Sequence, residues 1–208
     1  YQLNGHTDII NDLEVSPDGK ILTSCSNDWY VFFWDIKTGN MIKNFEPNTG
    51  RQLLNNYKEI NSIAFSPDGS KIACAHGNYA ATVWDVNTGE KLVDIGSFIL
   101  PVNTVAFSPD GEQLATGCLD NSISIWDVNT GANIRTFSRQ FARQTEMKIS
   151  PDQRYIAAAT SNSEFKLFDL NDRMKLRQNS SFEGKVASFD FLNDSKQMVI
   201  AYNDNTSR

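Results

Sequence analysis

Ser108-Pro109-Asp110-Gly111, followed by Ile123-Ser124-Ile125-Trp126-Asp127, decides how this chain is read. The first motif recurs as Ser16-Pro17-Asp18-Gly19, Ser66-Pro67-Asp68-Gly69 and Ser150-Pro151-Asp152-Gln153, at intervals of 50, 42 and 42 residues. The second keeps step with it as Trp34-Asp35, Trp84-Asp85, Trp126-Asp127 and Phe168-Asp169. A degraded fifth copy of the turn stands at Leu192-Asn193-Asp194-Ser195. Two motifs in phase at a common period mean one structural unit copied along the chain, here about the size of four short strands with their turns.

The third copy shows the unit most clearly. Val102 to Phe107 is apolar with polar interruptions, the Ser-Pro-Asp-Gly turn follows, and Gln113 to Cys118 runs back. Asp120-Asn121 turns into the Trp-Asp segment, and Asn129-Thr130-Gly131 turns again into Asn133 to Phe137. Strands of about five or six residues separated by Asp-Gly, Asp-Asn and Thr-Gly turns predict an antiparallel meander. No segment carries sustained helical periodicity, so the expected fold class is all-β.

These residues resemble the WD40 repeat family. The resemblance rests on the Gly5-His6 opening, the Ser-Pro-Asp-Gly turn, Asp28 or Asp120 before the third strand, and the Trp-Asp that closes it. It covers nearly the whole chain and implies a β-propeller of four-stranded blades, usually seven, with the first strand of each repeat lining a central channel. It also implies a protein-interaction platform that works without catalysis. The expected blades are approximately 5–46, 56–96, 98–138, 140–180 and 182–208, the last incomplete, with a loop insertion at 47–55. Both ends fall in mid-blade, so the expectation is a segment of about four and a half blades from a longer propeller, since an uncovered terminal blade exposes strand edges and an apolar flank.

Composition sets limits on function. Apolar residues make up 40% of the chain, enough for a sizeable core, and the net charge of −6 offers no attraction to nucleic acid or an anionic membrane. No apolar run approaches the length of a membrane span. Cys25, Cys74 and Cys118 fall on second strands of different blades, which reads as three reduced core residues in an intracellular setting. That setting is expected to be cytoplasmic, with nuclear or cytoskeletal assemblies as alternatives. No Cys/His cluster has metal-ligand spacing and no Gly-rich loop could cradle phosphate, so neither cofactor nor metal is expected.

His6, Ser24, Asp28 and Trp34 occupy the positions where the resemblance implies a buried hydrogen-bonded tetrad. A hydrolase reading of the same residues would need an exposed serine and an oxyanion hole, which nothing in the sequence supplies. The other blades depart from the pattern. Blade 2 offers Asn56, Cys74, Asn78 and Trp84; blade 3 has Phe98 with Thr116, Asp120 and Trp126; blade 4 has Gln140, Ala158, Asn162 and Phe168.

Function is therefore expected on surfaces. The loop leading into each first strand and the loop between second and third strands should emerge on one face, the one such proteins commonly offer to partners. Around the channel mouth this selects Ile9, Asn11 and Asn27; Glu59, Asn61 and Gly77; Pro101, Asn103 and Leu119; Arg143, Thr145 and Ser161; and Lys185, Ala187 and Asn203. Asn11, Asn61 and Asn103 would place three amides side by side. Trp29-Tyr30 stands where blade 3 has Asn121-Ser122, and aromatic residues at that turn read either as a contact site or as packing against a neighbouring blade. In the insertion, Arg51, Leu53 and Leu54 read either as an interface anchor or as leucines folded inward.

The reading reached is a non-catalytic scaffold that binds other proteins or peptides within a larger polypeptide or complex. Its rival is a regulatory or sensor propeller attached to an enzymatic or nucleotide-binding domain outside these residues. An enzymatic propeller would need acidic or histidine residues converging at the channel mouth. Replacing Arg51, Leu53 and Leu54 together should weaken partner binding by roughly tenfold while the melting temperature holds. Unchanged binding in a normally melting triple variant would remove the insertion from the interface.

Overall fold

The computed structural model describes residues 2–47, 59–96, 98–137, 144–170, 175–181, 186–192 and 197–202. Among them every regular element is a strand. Blade 1 contains β1 (Ile10–Val15), β2 (Ile21–Ser26), β3 (Val31–Asp35) and β4 (Met41–Phe45). Blade 2 contains β5 (Ile60–Phe65), β6 (Lys71–His76), β7 (Ala80–Asp85) and β8 (Lys91–Ile95). Blade 3 contains β9 (Val102–Phe107), β10 (Gln113–Cys118), β11 (Ile123–Asp127) and β12 (Asn133–Phe137). Blade 4 contains β13 (Gln144–Ile149), β14 (Tyr155–Thr160), β15 (Glu164–Asp169) and β16 (Lys175–Ser181). A hairpin of β17 (Val186–Phe191) and β18 (Met198–Tyr202) follows. Each blade is an antiparallel meander in chain order, the expected all-β propeller architecture.

The repeated motifs are turn chemistry. The Ser16 hydroxyl donates to the Asp18 carboxylate at 2.7 Å and accepts the Ile21 N–H at 2.9 Å, while Asp18 also accepts the Lys20 N–H. The same set returns at Ser66, Ser108 and Ser150. Gly19 takes φ +72°, a left-handed conformation that glycine adopts without penalty, and in blade 4 Gln153 takes it at +59°. In the Trp-Asp pair the two residues divide the work. Trp34 is buried, while the Asp35 carboxylate accepts the Thr38 N–H at 2.7 Å and its hydroxyl at 2.8 Å, closing the next turn.

Blades hold one another through shared apolar seams. Val31 and Phe33 of blade 1 pack with Ile63, Phe65 and Ile72 of blade 2, and Val86 of blade 2 joins them. Ala81, Val83 and Ile95 of blade 2 meet Val105, Phe107 and Leu114 of blade 3. Ile123 and Ile125 of blade 3 meet Met147, Ile149 and Ile156 of blade 4. Phe165 of blade 4 meets Val186, Phe189 and Ile200 of the hairpin. One face of each sheet thus covers the inner strands of the next.

Blade 1 shows what such a cover is worth, because nothing among the described residues lies on its other flank. Leu13 is 55% exposed, whereas Ile63, Val105, Met147 and Phe189, in the same position of later repeats, are all buried. Val15 and Ile36 are half exposed as well, while Phe65 and Val86, their counterparts in blade 2, are buried.

The innermost strands β1, β5, β9 and β13 stand side by side and, with β17, line a cavity of about 620 Å³. All five carry a bulge at one place, where the ladder skips Asn11, Asn61, Asn103, Thr145 and Ala187. A bulge leaves its extra residue unpaired and re-aims it. In residues 1–208 taken by themselves, replacing Ile63 with Ala should cost about 2–4 kcal/mol, whereas Leu13→Ala at the matching position should cost under about 1 kcal/mol. Equal losses in urea unfolding of the two variants would show that the blade 1 flank is covered in solution.

Candidate functional site

In blade 1 the polar set is assembled and closed. The His6 Nδ1–H donates to Asp28 Oδ2 at 2.9 Å, the Ser24 hydroxyl donates to His6 Nε2 at 2.7 Å, and the Trp34 indole N–H donates to Ser24 Oγ at 2.9 Å. Burial would raise the Asp28 carboxyl, but the Thr7 N–H, the His6 imidazole and the Tyr30 N–H outweigh it and hold the pKa below the ordinary value. Ser24 is buried, with its oxygen already engaged by two partners.

Blade 2 contains a second set that the sequence comparison missed. The Thr82 hydroxyl is hydrogen-bonded to His76 Nε2 at 2.8 Å and accepts the Trp84 indole N–H at 2.7 Å. His76 is buried, and burial pushes its pKa down to about 3, leaving a neutral imidazole. The available signal was register. Ser24 lies opposite Phe32 in the ladder of blade 1, and Cys74 lies opposite Thr82 in blade 2, so the hydroxyl has crossed to the partner strand. Blade 3 keeps only the bond from the Trp126 indole to Thr116, at 2.8 Å.

The antiparallel order brings the starts of β1, β5 and β9 to the same end as the β2–β3, β6–β7 and β10–β11 turns. On this loop face the Asn11 amide donates to Asn27 Oδ1 at 2.7 Å and to the Ile60 carbonyl at 2.9 Å, and the Asn61 amide donates to the Val102 carbonyl at 2.8 Å. These amides therefore staple one blade to the next and do not stand in an open row. Asn103 is buried with neither side-chain polar atom partnered, and Gly77 is buried, so neither offers a partner surface. Glu59, Asn61, Pro101 and Leu119 are half-buried, while Ser161 and Ala187 are exposed. Arg143, Lys185 and Asn203 lie outside the described residues, as do Arg51, Leu53 and Leu54 of the insertion, Asn56, Gln140 and the side chain of Thr145.

Large apolar side chains stand out on this face. Ile9 is 66% and Ile99 79% exposed, and Trp29 and Tyr30 are more than a third exposed. Trp29 adopts φ +77°, a left-handed backbone that bulky residues rarely accept.

The channel holds carboxylates that the sequence reading did not bring together. Asp12 accepts the Ile63 N–H at 3.0 Å, Glu146 accepts the Ser188 hydroxyl at 3.1 Å, and Lys148 pairs with Asp190 at 3.2 Å. Burial raises the Glu14 carboxyl to about 7, helped by Asp12, Asp190 and Glu146 and opposed by Lys148. Burial also raises Asp12 and Glu146 against their hydrogen bonds. These residues come from β1, β13 and β17, 42 (190−148) to 178 (190−12) positions apart, so only the row of inner strands could reveal their meeting. Among the described residues no three His, Cys, Asp or Glu side chains are placed to hold a metal ion. All three cysteines are free and buried.

Comparison with known proteins gives two family matches. Residues 41–180, about two-thirds of the chain, match the family described as eukaryotic translation initiation factor eIF2A. Residues 1–35 match the WD domain, G-beta repeat. A stretch of 44 residues is 43% identical to the ribosome biogenesis protein BOP1 homolog of Drosophila mojavensis, covering 21% of this chain and 6% of that protein.

Glu14 gives the channel a pH signature. Its folded pKa of about 7 stands above its ordinary 4.5, so its contribution to stability grows as pH falls from about 7 towards 4.5 and is unfavourable above that window. His76 acts oppositely, since its folded pKa of about 3 lies below 6.5 and stability is lost as pH falls through that range. Glu14→Gln should raise the melting temperature at pH 8 by about 2–4 °C and leave it nearly unchanged at pH 5. An equal shift at both pH values would deny the carboxylate its raised pKa.

Proposed function

Because the chain belongs to the WD-repeat propellers, and to the family described as eukaryotic translation initiation factor eIF2A, we propose that it is a protein-binding scaffold whose loop face receives partners. The carrying observation is a contrast between two kinds of residue. The histidines and hydroxyls that could suggest catalysis are consumed in buried hydrogen bonds, while Ile9, Trp29, Tyr30 and Ile99 stand exposed at the loop end. Exposed aromatic and branched side chains on a rigid frame are the raw material of an interface core.

The uncovered flank of blade 1 supports a second element of the reading. Leu13, Val15 and Ile36 occupy positions that later blades bury against a neighbour, so a further blade is proposed to lie on them within a larger polypeptide or complex. The rival, a sensor propeller serving an enzymatic or nucleotide-binding domain, would use the same frame. The matched family is described as a translation initiation factor and the relative as a ribosome biogenesis protein, which favours an assembly concerned with translation or ribosome biogenesis as the setting; cytoplasm is the proposed compartment.

Hydroxyl-radical footprinting of the full-length protein, alone and in its native assembly, tests both elements. Assembly should protect Trp29, Tyr30 and Ile99, and Leu13 and Val15 should be protected in both samples. Protection confined to the Ser-Pro-Asp-Gly turns would reject the loop face, and rapid oxidation of Leu13 would reject the covering blade.

A further inference from the structure

We propose that Asn4-Gly5 is a site of spontaneous covalent modification, where the asparagine deamidates to aspartyl and isoaspartyl forms and loosens the His6 network of blade 1. The modification needs no partner, only water. Asn4-Gly5 is the only Asn-Gly step in the chain. In such a step the glycine nitrogen reaches the asparagine carboxamide easily, because no Cβ on the glycine obstructs the approach. The reaction requires water access, a side-chain amide that is not held and a backbone N–H that is not held. All three conditions meet here. Asn4 and Gly5 are exposed and lie outside the strands. Among the described residues neither the Asn4 side chain nor the Gly5 N–H has a hydrogen-bond partner.

The rest of the chain provides the contrast. Asp18-Gly19, Asp68-Gly69 and Asp110-Gly111 share the same backbone chemistry, yet each glycine N–H donates to the carbonyl of the serine in its turn at 2.8 Å. Hydrogen bonds led by the Ser16 and Ser66 hydroxyls lower Asp18 and Asp68 to about 2, and an ionised carboxylate resists attack by an amide nitrogen. The Asn-Ser steps are held as well. The Asn61 amide donates to the Val102 carbonyl, the Ser122 N–H to Asp120 and the Ser163 N–H to the Thr160 carbonyl. Only at Asn4 are both reacting groups left to water.

The step balances without an oxidant or cofactor. The Gly5 nitrogen gives up its proton and attacks Asn4 Cγ; the N–Cγ bond forms, the Cγ–Nδ2 bond breaks, and ammonia leaves with a proton. Water then opens the succinimide at either carbonyl. Opening at Cγ restores the main chain with an aspartate side chain. Opening at the backbone carbonyl routes the main chain through Cβ and Cγ, one atom longer, and leaves the α-carboxylate free.

The residues that follow cannot absorb that extra atom. A Cβ on Gly5 would meet Phe32 and Trp34 at 2.9 Å, so both rings crowd its backbone. His6 comes next, its ring centroid 4.3 Å from that of Phe32 and its nitrogens bonded to Asp28 and Ser24. The Thr7 N–H donates to the same Asp28 carboxylate. Added length ahead of Gly5 therefore displaces it from the rings and draws His6 off its partners.

The test incubates purified full-length protein at mildly alkaline pH, folded and in urea, and follows it by peptide mapping and enzymatic isoaspartyl methylation. Asn4 should deamidate in the folded protein within about threefold of its rate in urea, whereas folding should slow Asn61, Asn121 and Asn162 at least about tenfold. Asn4→Gln, which keeps an amide but closes the five-membered ring no longer, should abolish methylation of this peptide. Once mapping shows Asn4 converted, the wild type should melt about 2–4 °C below Asn4→Gln treated alike. Fresh Asn4→Asp should melt with the unaged protein, because it brings the charge without the extra main-chain atom. Folding that slows Asn4 as much as Asn61 would overturn the site, and a converted wild type that melts with Asn4→Gln would overturn its coupling to His6.

Discussion

The seam between neighbouring sheets is the constraint on which the rest depends. Each blade is apolar on both faces, and a four-stranded meander of about 36 residues cannot bury both by itself. Phe33, Ile95 and Phe165 are buried because a following blade lies over them, and Leu13 is exposed because none of the described residues lies over it. Bulges, stapling amides and the channel are consequences of inner strands held side by side at a fixed spacing. Stability in such an array is close to a sum of units and nearest-neighbour interfaces, so the loss of one seam is felt mainly by the two blades it joins.

Within the blades, polar groups are tolerated where they form closed sets. The indoles of Trp34, Trp84 and Trp126 each donate to a hydroxyl, although the hydroxyl comes from β2, β7 and β10 respectively. The demand is physical, since a buried N–H needs an acceptor, and a serine or threonine on either strand of the ladder meets it. This explains how repeats that look divergent residue by residue preserve one interior chemistry. It also explains why His6, in the segment before β1, and His76, at the end of β6, end against the same kind of partner.

The fold was legible because the Ser-Pro-Asp-Gly and Trp-Asp motifs are determined by local turn geometry. Ser16, Asp18 and Gly19 close a turn with partners at most five residues away, so their spacing writes the strand boundaries into the chain. The blade 1 tetrad was legible only through the family resemblance, which implies it for His6, Ser24, Asp28 and Trp34; their partners lie 10 to 22 residues apart and no local turn writes them. The His76 set was not, because motif alignment compares position with position and cannot register a hydroxyl that moved from Cys74 to its cross-strand neighbour Thr82. Asn11 and Asn61 were picked out as channel-mouth residues, but their engagement with the next blade's carbonyls depends on inter-blade spacing that no single repeat encodes. The channel carboxylates were hidden more deeply, since Glu14 and Glu146 meet only through curvature accumulated over several blades.

Repetition carries its own danger, and the bulges answer it. Four units with nearly interchangeable turns could exchange strands during folding, each second strand pairing with a first strand from another repeat, a hazard common to repetitive chains. The extra residue at Asn11 or Asn61 acts as a key. It must sit opposite the skipped step of its own second strand, and its amide must also find the carbonyl at Ile60 or Val102. A foreign strand could satisfy the ladder but would miss the correct neighbour. The seams add a lock of shape, aromatic where Phe33 meets Phe65 and built from small side chains where Ala81 meets Val105. Order along the chain is thereby proofread twice, once by hydrogen bonding and once by volume.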